Sequence, residues 1–120
     1  MTRRMEKVAD LLQSEIAELL RREVKHPALT DVMVSITRVE VAPDLGSARV
    51  HVSVMDTPEV EREVLRALEH TEPFLHRTLL KRLHMRTVPH LRFLADHSIA
   101  EGDRIATLLR EVAHEEGREL

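Results

Sequence analysis

The stretch Val32-Met33-Val34-Ser35-Ile36-Thr37-Arg38-Val39-Glu40-Val41-Ala42-Pro43-Asp44-Leu45-Gly46-Ser47-Ala48-Arg49-Val50-His51-Val52-Ser53-Val54-Met55 decides the fold. Its second half alternates Ala48, Val50, Val52 and Val54 with Arg49, His51, Ser53 and Met55, the period of a half-buried strand. Its first half is rich in β-branched residues, but the apolar phase changes partway: Val34 and Ile36 share one face, Val39 and Val41 the other. One extra residue at Thr37-Arg38, a β-bulge, restores a common inward direction. Pro43-Asp44-Leu45-Gly46 has the chemistry of a four-residue turn. That turn sets Val39 opposite Val50 and Val41 opposite Ala48; beyond the bulge, Ile36 meets Val52 and Val34 meets Val54. The same register faces Glu40 with Arg49, a favourable cross-strand pair. Pattern, turn length and charge agree on an antiparallel hairpin.

Upstream, Met5, Val8, Leu11, Leu12, Ile16, Leu19 and Leu20 recur at three- and four-residue intervals, predicting a helix from about Arg3 to Lys25. Lys25-His26-Pro27 stops it, because the residue before a proline is pushed out of the helical region. Downstream, Thr57 is an N-cap with Pro58 at the first helical position, and Glu59 and Glu61 suit the positive end of the helix dipole. Val60, Val64, Leu65 and Leu68 form the buried face. Thr71-Glu72-Pro73 is predicted to kink or break this helix, since an internal proline removes a hydrogen bond and clashes with the preceding turn. Pro73 then restarts a second helix.

The restarted segment, Pro73 to Leu94, contains no acidic residue, although the chain carries 21 Asp and Glu against 18 Lys and Arg. As a helix it places Leu75, Leu79, Leu80 and Leu83 on one arc and Arg77, Lys81 and His84 on the opposite one. Arg82 and Arg86 form a second basic row beside the apolar stripe. Pro89 ends the helix, and Leu91 and Phe93 then alternate with His90 and Arg92 as in a strand. Asp96-His97-Ser98 is a turn or cap, and Gly102-Asp103 precedes a final helix carrying Ile105, Leu108, Leu109 and Val112. Residues 114–120 lose the periodicity and read as a frayed acidic tail behind one domain of residues 1–113. The predicted order is α-β-β-α-kink-α-β with an extra C-terminal helix, an α+β two-layer fold.

A length of 120 residues and a hydrophobic fraction of 42% suit one packed domain rather than disorder. The absence of cysteine removes disulfides and thiolate metal sites. No run is apolar enough to span a bilayer and none resembles a leader, so a soluble, cytoplasmic, monomeric protein without a membrane partner is expected. The net charge of −3 hides a segregation. Glu59, Glu61, Glu63, Glu69, Glu111, Glu115, Glu116 and Glu119 lie away from the basic stretch, and such a dipolar surface steers one face towards anions. Arg77, Lys81, Arg82, Arg86 and Arg92 are therefore candidate phosphate ligands. Arg3, Arg4 and Lys7 form a second cluster, and Arg38 extends the patch from the hairpin. The competing reading is a solvated face whose long stems cover apolar surface.

Missing residues narrow the chemistry further. Without tryptophan or tyrosine, and with Phe74 and Phe93 read as core, bases are not expected to stack on aromatic side chains. No glycine lies between Gly46 and Gly102, so the GxxG loop of an ordinary KH domain is absent and recognition should rest on phosphate geometry. His70, His76, His84, His90 and His97 crowd the second half without an HExxH spacing, so neither a metal nor another cofactor is expected. The serines lack a nucleophile elbow, and no enzyme is expected. Two rivals stay open. One is a DNA-binding helix-turn-helix regulator, opposed by the hairpin between the helices and by the lack of Asn or Gln on the basic helix. The other is a protein-interaction module without nucleic acid.

Several ordered segments resemble the ribosome-binding factor A family. Arg4-Met5-Glu6-Lys7-Val8 with Glu15-Ile16 is similar to its opening, and Ile36 to Leu45 followed by Ala48 to Val54 is similar to its hairpin. Phe74-Leu75, Leu83, Met85-Arg86-Thr87-Val88-Pro89, Leu91-Arg92-Phe93 and Asp96-His97-Ser98 resemble its second half, with Gly102, Ile105 and Leu108-Leu109 at its end. The resemblance implies a single-domain type II KH-like fold and a non-enzymatic factor that binds free 30S small ribosomal subunits. It also implies help in their late maturation and in processing of 16S rRNA. Two segments depart from the family pattern: Thr71-Glu72-Pro73 stands where an Ala-x-Gly kink is usual, and His26-Pro27-Ala28 stands where Asp-Pro-Arg is usual. No RNA-contacting arginine is therefore assigned at Ala28.

Overall fold

The computed structural model describes residues 3–117. Strands β1 (Val34–Val41) and β2 (Ser47–Val54) pair antiparallel, with Val39 opposite Val50, Val41 opposite Ala48, Ile36 opposite Val52 and Val34 opposite Val54. The register shifts between Ile36 and Arg38, so the bulge falls where the change of apolar phase requires it. In the turn, the Asp44 carboxylate accepts the Gly46 N–H at 2.9 Å, and Leu45 takes the left-handed conformation with φ of 60°. Strand β3 (His90–Ala95) runs parallel to β2 on its other side, giving the order β1-β2-β3. A parallel neighbour needs a long crossover, and helix α2 (Pro58–Leu83) supplies it.

Helices α1 (Arg3–Arg22) and α2 cover one face of the sheet. Ala9, Leu12, Ile16 and Leu19 from α1 meet Val64, Leu68, Leu75 and Leu79 from α2 over Val39, Val41, Val50, Val52 and Leu91. This is the α+β two-layer arrangement, and its element order is consistent with the type II KH-like plan. Helix α1 ends at Arg22 rather than Lys25, and a 3-10 turn over Pro27–Leu29 follows, capped by His26 Nδ1 accepting the Ala28 N–H at 3.1 Å.

Of the kink or break expected at Thr71, Glu72 and Pro73, the break does not occur: α2 is helical throughout from Pro58 to Leu83. An internal proline costs about 3 kcal/mol. Val64 and Leu68 before it, and Leu75 and Leu79 after it, lie on one buried stripe against one core, and burying each contributes about 1.5–3 kcal/mol. Packing outweighs the proline. Thr71 Oγ1 donates back to the Ala67 carbonyl at 2.7 Å, a bond that bends helices without ending them. The C-terminus also differs from the sequence expectation. The helix stops at Leu83, capped by His84 in the left-handed conformation, so Arg86 lies in the loop before β3 rather than one helical turn beyond Arg82.

Helix α3 (Ser98–Glu115) starts earlier than expected, taking Gly102 and Asp103 into its body, and it continues through His114 and Glu115 of the expected tail. Residues 118–120 of that tail lie outside the described residues. Ile99, Ile105, Leu108, Leu109 and Val112 are all exposed. The helix thus extends from the domain instead of adding its apolar stripe to the core. The radius of gyration, 17.5 Å, accordingly exceeds the value of about 14 Å for a compact chain of this length.

Candidate nucleic-acid interface

Chain direction brings five element ends together. The start of α1, the turn of the hairpin, the end of α2, the loop after it and the start of β3 share one end of the molecule. There His90 N–H donates to the Gly46 carbonyl at 3.1 Å. Arg4, Leu45, Met85, Arg86 and Thr87 line one cleft at this end. Met5, Pro43, Ser47, Arg49 and Arg92 share another with Glu40. The opposite end holds the start of β1, the first turn of α2 and the start of α3. It is tied by Met55 N–H to the Met33 carbonyl at 3.1 Å, Asp96 N–H to the Val52 carbonyl at 2.7 Å, and His97 Nε2 to Glu61 at 2.7 Å.

Arg77 and Lys81 stand on the solvent arc of α2, Arg86 in the following loop, and Arg3, Arg4 and Lys7 on the first turns of α1. All are exposed, and none makes an ion pair among the described residues. Arg92 is likewise exposed and unpaired, beside Arg49 in the β2–β3 register. Arg92 projects from the open face of the sheet, whereas Arg77 and Lys81 project from the helical layer. The single helix–strand face expected from the sequence is therefore divided between two layers, and its members approach one another only at the hairpin-turn end.

Two candidates are already engaged within the protein. Arg38 lies 3.2 Å from Glu40, which also contacts Arg49 at 3.5 Å and His51 at 2.6 Å. The His51 hydrogen bond, aided by the Arg38 and Arg49 charges, outweighs desolvation and holds the Glu40 carboxyl below its ordinary value. Arg82 departs furthest from the expectation. Its guanidinium lies 3.1 Å from Glu15, 3.7 Å from Glu18 and 3.8 Å from Glu23. One residue beyond Lys81 is a turn of about 100° around a helix, and it aims Arg82 at α1 instead of solvent. Arg82 joins α1 to α2, and its charge is already shared with three carboxylates.

Sequence reasoning missed two polar networks. Glu72, expected only as part of a kink, reaches the start of β3 and accepts the Leu91 N–H at 3.1 Å, satisfying a donor on the free edge of that strand. Thr37, at the bulge, donates to Asp96 at 2.5 Å, and Ser98 N–H donates to the same carboxylate at 2.9 Å. These bonds, the Thr37 one foremost, push the Asp96 carboxyl far below its ordinary value. No local pattern signals the Glu72–Leu91 and Thr37–Asp96 bonds, because those partners lie far apart in the chain; the Ser98–Asp96 bond falls within the turn or cap expected from the sequence. Among the described residues, no group of three or more His, Asp or Glu side chains is placed to hold a metal ion.

With this geometry in hand, comparison with known proteins identifies the family. The family model for ribosome-binding factor A matches residues 4–109. The chain belongs to the ribosome-binding factor A family. It is 37% identical over 116 residues to ribosome-binding factor A of Thermomicrobium roseum, covering 97% of this chain and 88% of that one. The Synechocystis factor is 35% identical over 111 residues, covering 92% and 84%. The crystal structure of ribosome-binding factor A from Thermus thermophilus superposes with a TM-score of 0.66 at 26% identity, covering 76% of this chain and 93% of that one. A homology model of the Thermus factor, fitted into a cryo-EM map of a 30S complex with it, gives a TM-score of 0.60 at 27% identity, covering 74% and 91%. No helix among the described residues of this family member is long and apolar enough to cross a membrane.

Proposed function

We propose that this protein binds the free 30S small ribosomal subunit and assists its late maturation, including efficient processing of 16S rRNA, without catalysing a reaction. The observation that carries this reading is the unpaired cations at the hairpin-turn end, in a chain whose relatives are named for ribosome binding. Arg77, Lys81, Arg86 and Arg92, with Arg3, Arg4 and Lys7, supply the phosphate contacts. Each contact releases condensed counterions, so binding is strong at low salt and weakens steeply as salt rises. Arg38 contributes less, because Glu40 already neutralises part of its charge. The domain that binds is residues 1–113, it acts as a monomer, and a cytoplasmic location follows from its partner. The fit of a Thermus relative to a 30S complex supports the choice of partner.

Sedimentation on a density gradient tests the reading. The protein travels with free small subunits and not with full ribosomes. Replacing Arg77, Lys81 and Arg86 by Glu abolishes that co-sedimentation while circular dichroism stays unchanged. Undiminished binding by the folded variant removes these side chains from the interface. Preference for duplex DNA in a gel shift, or binding that resists both salt and ribonuclease, returns the question to the two rival readings.

A further inference from the structure

The chain has neither tryptophan nor tyrosine, yet it builds a stacked aromatic pair. The imidazoles of His76 on α2 and His90 at the start of β3 lie with centroids 3.9 Å apart and planes 13° from parallel. Each ring is held by its edge. His76 Nε2 is 2.8 Å from the Val88 carbonyl oxygen, which can only accept, so this nitrogen carries the proton and donates. His90 Nδ1 donates in the same way to the Glu72 carboxylate at 3.3 Å. The same Glu72 oxygen is anchored by the Leu91 N–H. His76 is half-buried, whereas the His90 side chain is 68% exposed. With one face of the ring covered at contact distance, that exposure leaves the other face open to solvent.

We infer that the open face of His90 is a stacking platform for one unpaired RNA nucleobase. The inference rests on the RNA-binding reading above and adds a base contact to a surface otherwise built for phosphates. A solitary exposed histidine would carry no such role. The His90 plane, however, is fixed by His76 beneath it and Glu72 beside it, so a stacked base does not have to freeze a freely rotating side chain. Arg77 follows His76 on α2, and Arg92 lies two residues beyond His90 on β3. Both are exposed and unpaired among the described residues, so phosphates flanking a stacked base find cations close by. Every base offers a π-face, and the platform therefore tolerates any sequence while requiring a single-stranded base. It supplies a stacking contact in a chain whose Phe93 packs partly buried against the core; Phe74, expected there from the sequence, is instead 37% exposed on α2.

The test uses the full chain and single-stranded oligoadenylate carrying one 2-aminopurine, beside the same oligonucleotide with an abasic site at that position. Wild type quenches the 2-aminopurine fluorescence and binds the abasic oligonucleotide at least about fivefold more weakly. His90→Ala abolishes the quench and brings the two affinities together. His90→Phe, which keeps a ring but not the Glu72 hydrogen bond, restores the quench. Circular dichroism checks that both variants are folded. Equal wild-type affinity for the two oligonucleotides, a quench that survives His90→Ala, or a folded His90→Phe that fails to restore it overturns the platform. Sedimentation separates the two failures. A wild type that travels with small subunits but shows no base-dependent quench loses the platform alone, whereas one that does not travel with subunits loses the proposed function.

Discussion

The two ends of the molecule use polar side chains in opposite ways. At the end holding Asp96, the groups are spent on one another: Thr37 and Ser98 on Asp96, and His97 on Glu61, so that α3 is tied to the bulge and to the first turn of α2. At the hairpin-turn end, Arg4, Arg77, Lys81, Arg86 and Arg92 find no carboxylate among the described residues. A charge satisfied internally serves the fold and is a poor ligand, because a partner must first displace a carboxylate. An unpaired, hydrated charge contributes little to folding and remains available to a polyanion. Arg82 makes the same point within one helix, since its neighbour Lys81 is free while Arg82 itself is held by Glu15, Glu18 and Glu23.

Charge reversal gives the largest expected contrast. The Arg77, Lys81 and Arg86 to Glu variant loses at least about a hundredfold in affinity for small subunits, since each position changes from attracting to repelling phosphate. The mirror variant, Glu59 and Glu63 to Lys in the first two turns of α2, stays within about threefold of wild type in filter binding at physiological salt, where charges beyond about 8 Å are screened. Comparable losses from both ends would mean that the protein's overall field, and not a local surface, drives association.

Arg82 and Arg77 provide the next contrast. Arg82→Ala leaves Glu15, Glu18 and Glu23, on and just after α1, without the cation they share and lowers unfolding free energy by about 1–3 kcal/mol. That range lies between the values for exposed and buried pairs, because the Arg82 side chain is 34% exposed. Its subunit binding, measured well below the melting temperature, stays at the wild-type level. Arg77→Ala does the reverse. Its stability stays within about 0.5 kcal/mol of wild type, while binding weakens and the salt slope falls by about 1. Urea titration and salt-dependent binding of the two variants separate a structural arginine from a ligand.

The sequence made the hairpin legible in detail because a two-residue period, a turn of known length and a charge pair constrain each other. The change of phase at Thr37-Arg38 even located the bulge. Interactions between elements were hidden. Pro73 looked like a break because local chemistry penalises it, but the core on both sides of it keeps α2 whole. Helical periodicity separated the arcs of Leu79 and Lys81, yet it held no information about the acids of α1 that capture Arg82. The same periodicity predicted α3 without showing that Ile105 and Leu108 would remain exposed. Of the candidate site, Arg77, Lys81, Arg86 and Arg92 were legible as cations of an acid-free stretch, but so was Arg82, and which of them lacks a carboxylate partner was not legible. The His76–His90 stack was not, since only the parallel placement of β3 beside β2 brings those rings together.

The smallest expected effect tests whether the two ends are independent. Thr37→Val removes the strongest hydrogen bond to the Asp96 carboxylate while keeping the side-chain shape. The Asp96 pKa should then rise towards its ordinary value of 3.8, as followed by NMR titration of its carboxyl carbon. The sign follows from proton linkage. A carboxyl whose pKa is depressed by folding contributes stability that is fully present above about pH 4 and is lost as the pH falls through the folded pKa. The stability difference between wild type and Thr37→Val is therefore largest near neutral pH and narrows in acid, where Asp96 becomes protonated in both proteins. A difference independent of pH would show that Thr37 acts through its weaker 3.3 Å bond to the His51 carbonyl instead. Subunit binding at neutral pH should be indifferent to the substitution, because the bulge network lies away from the cations of the hairpin-turn end. A loss of binding in a folded Thr37→Val protein would mean that the bulge sets the shape of the binding end, and the division between a structural end and a functional end would not hold.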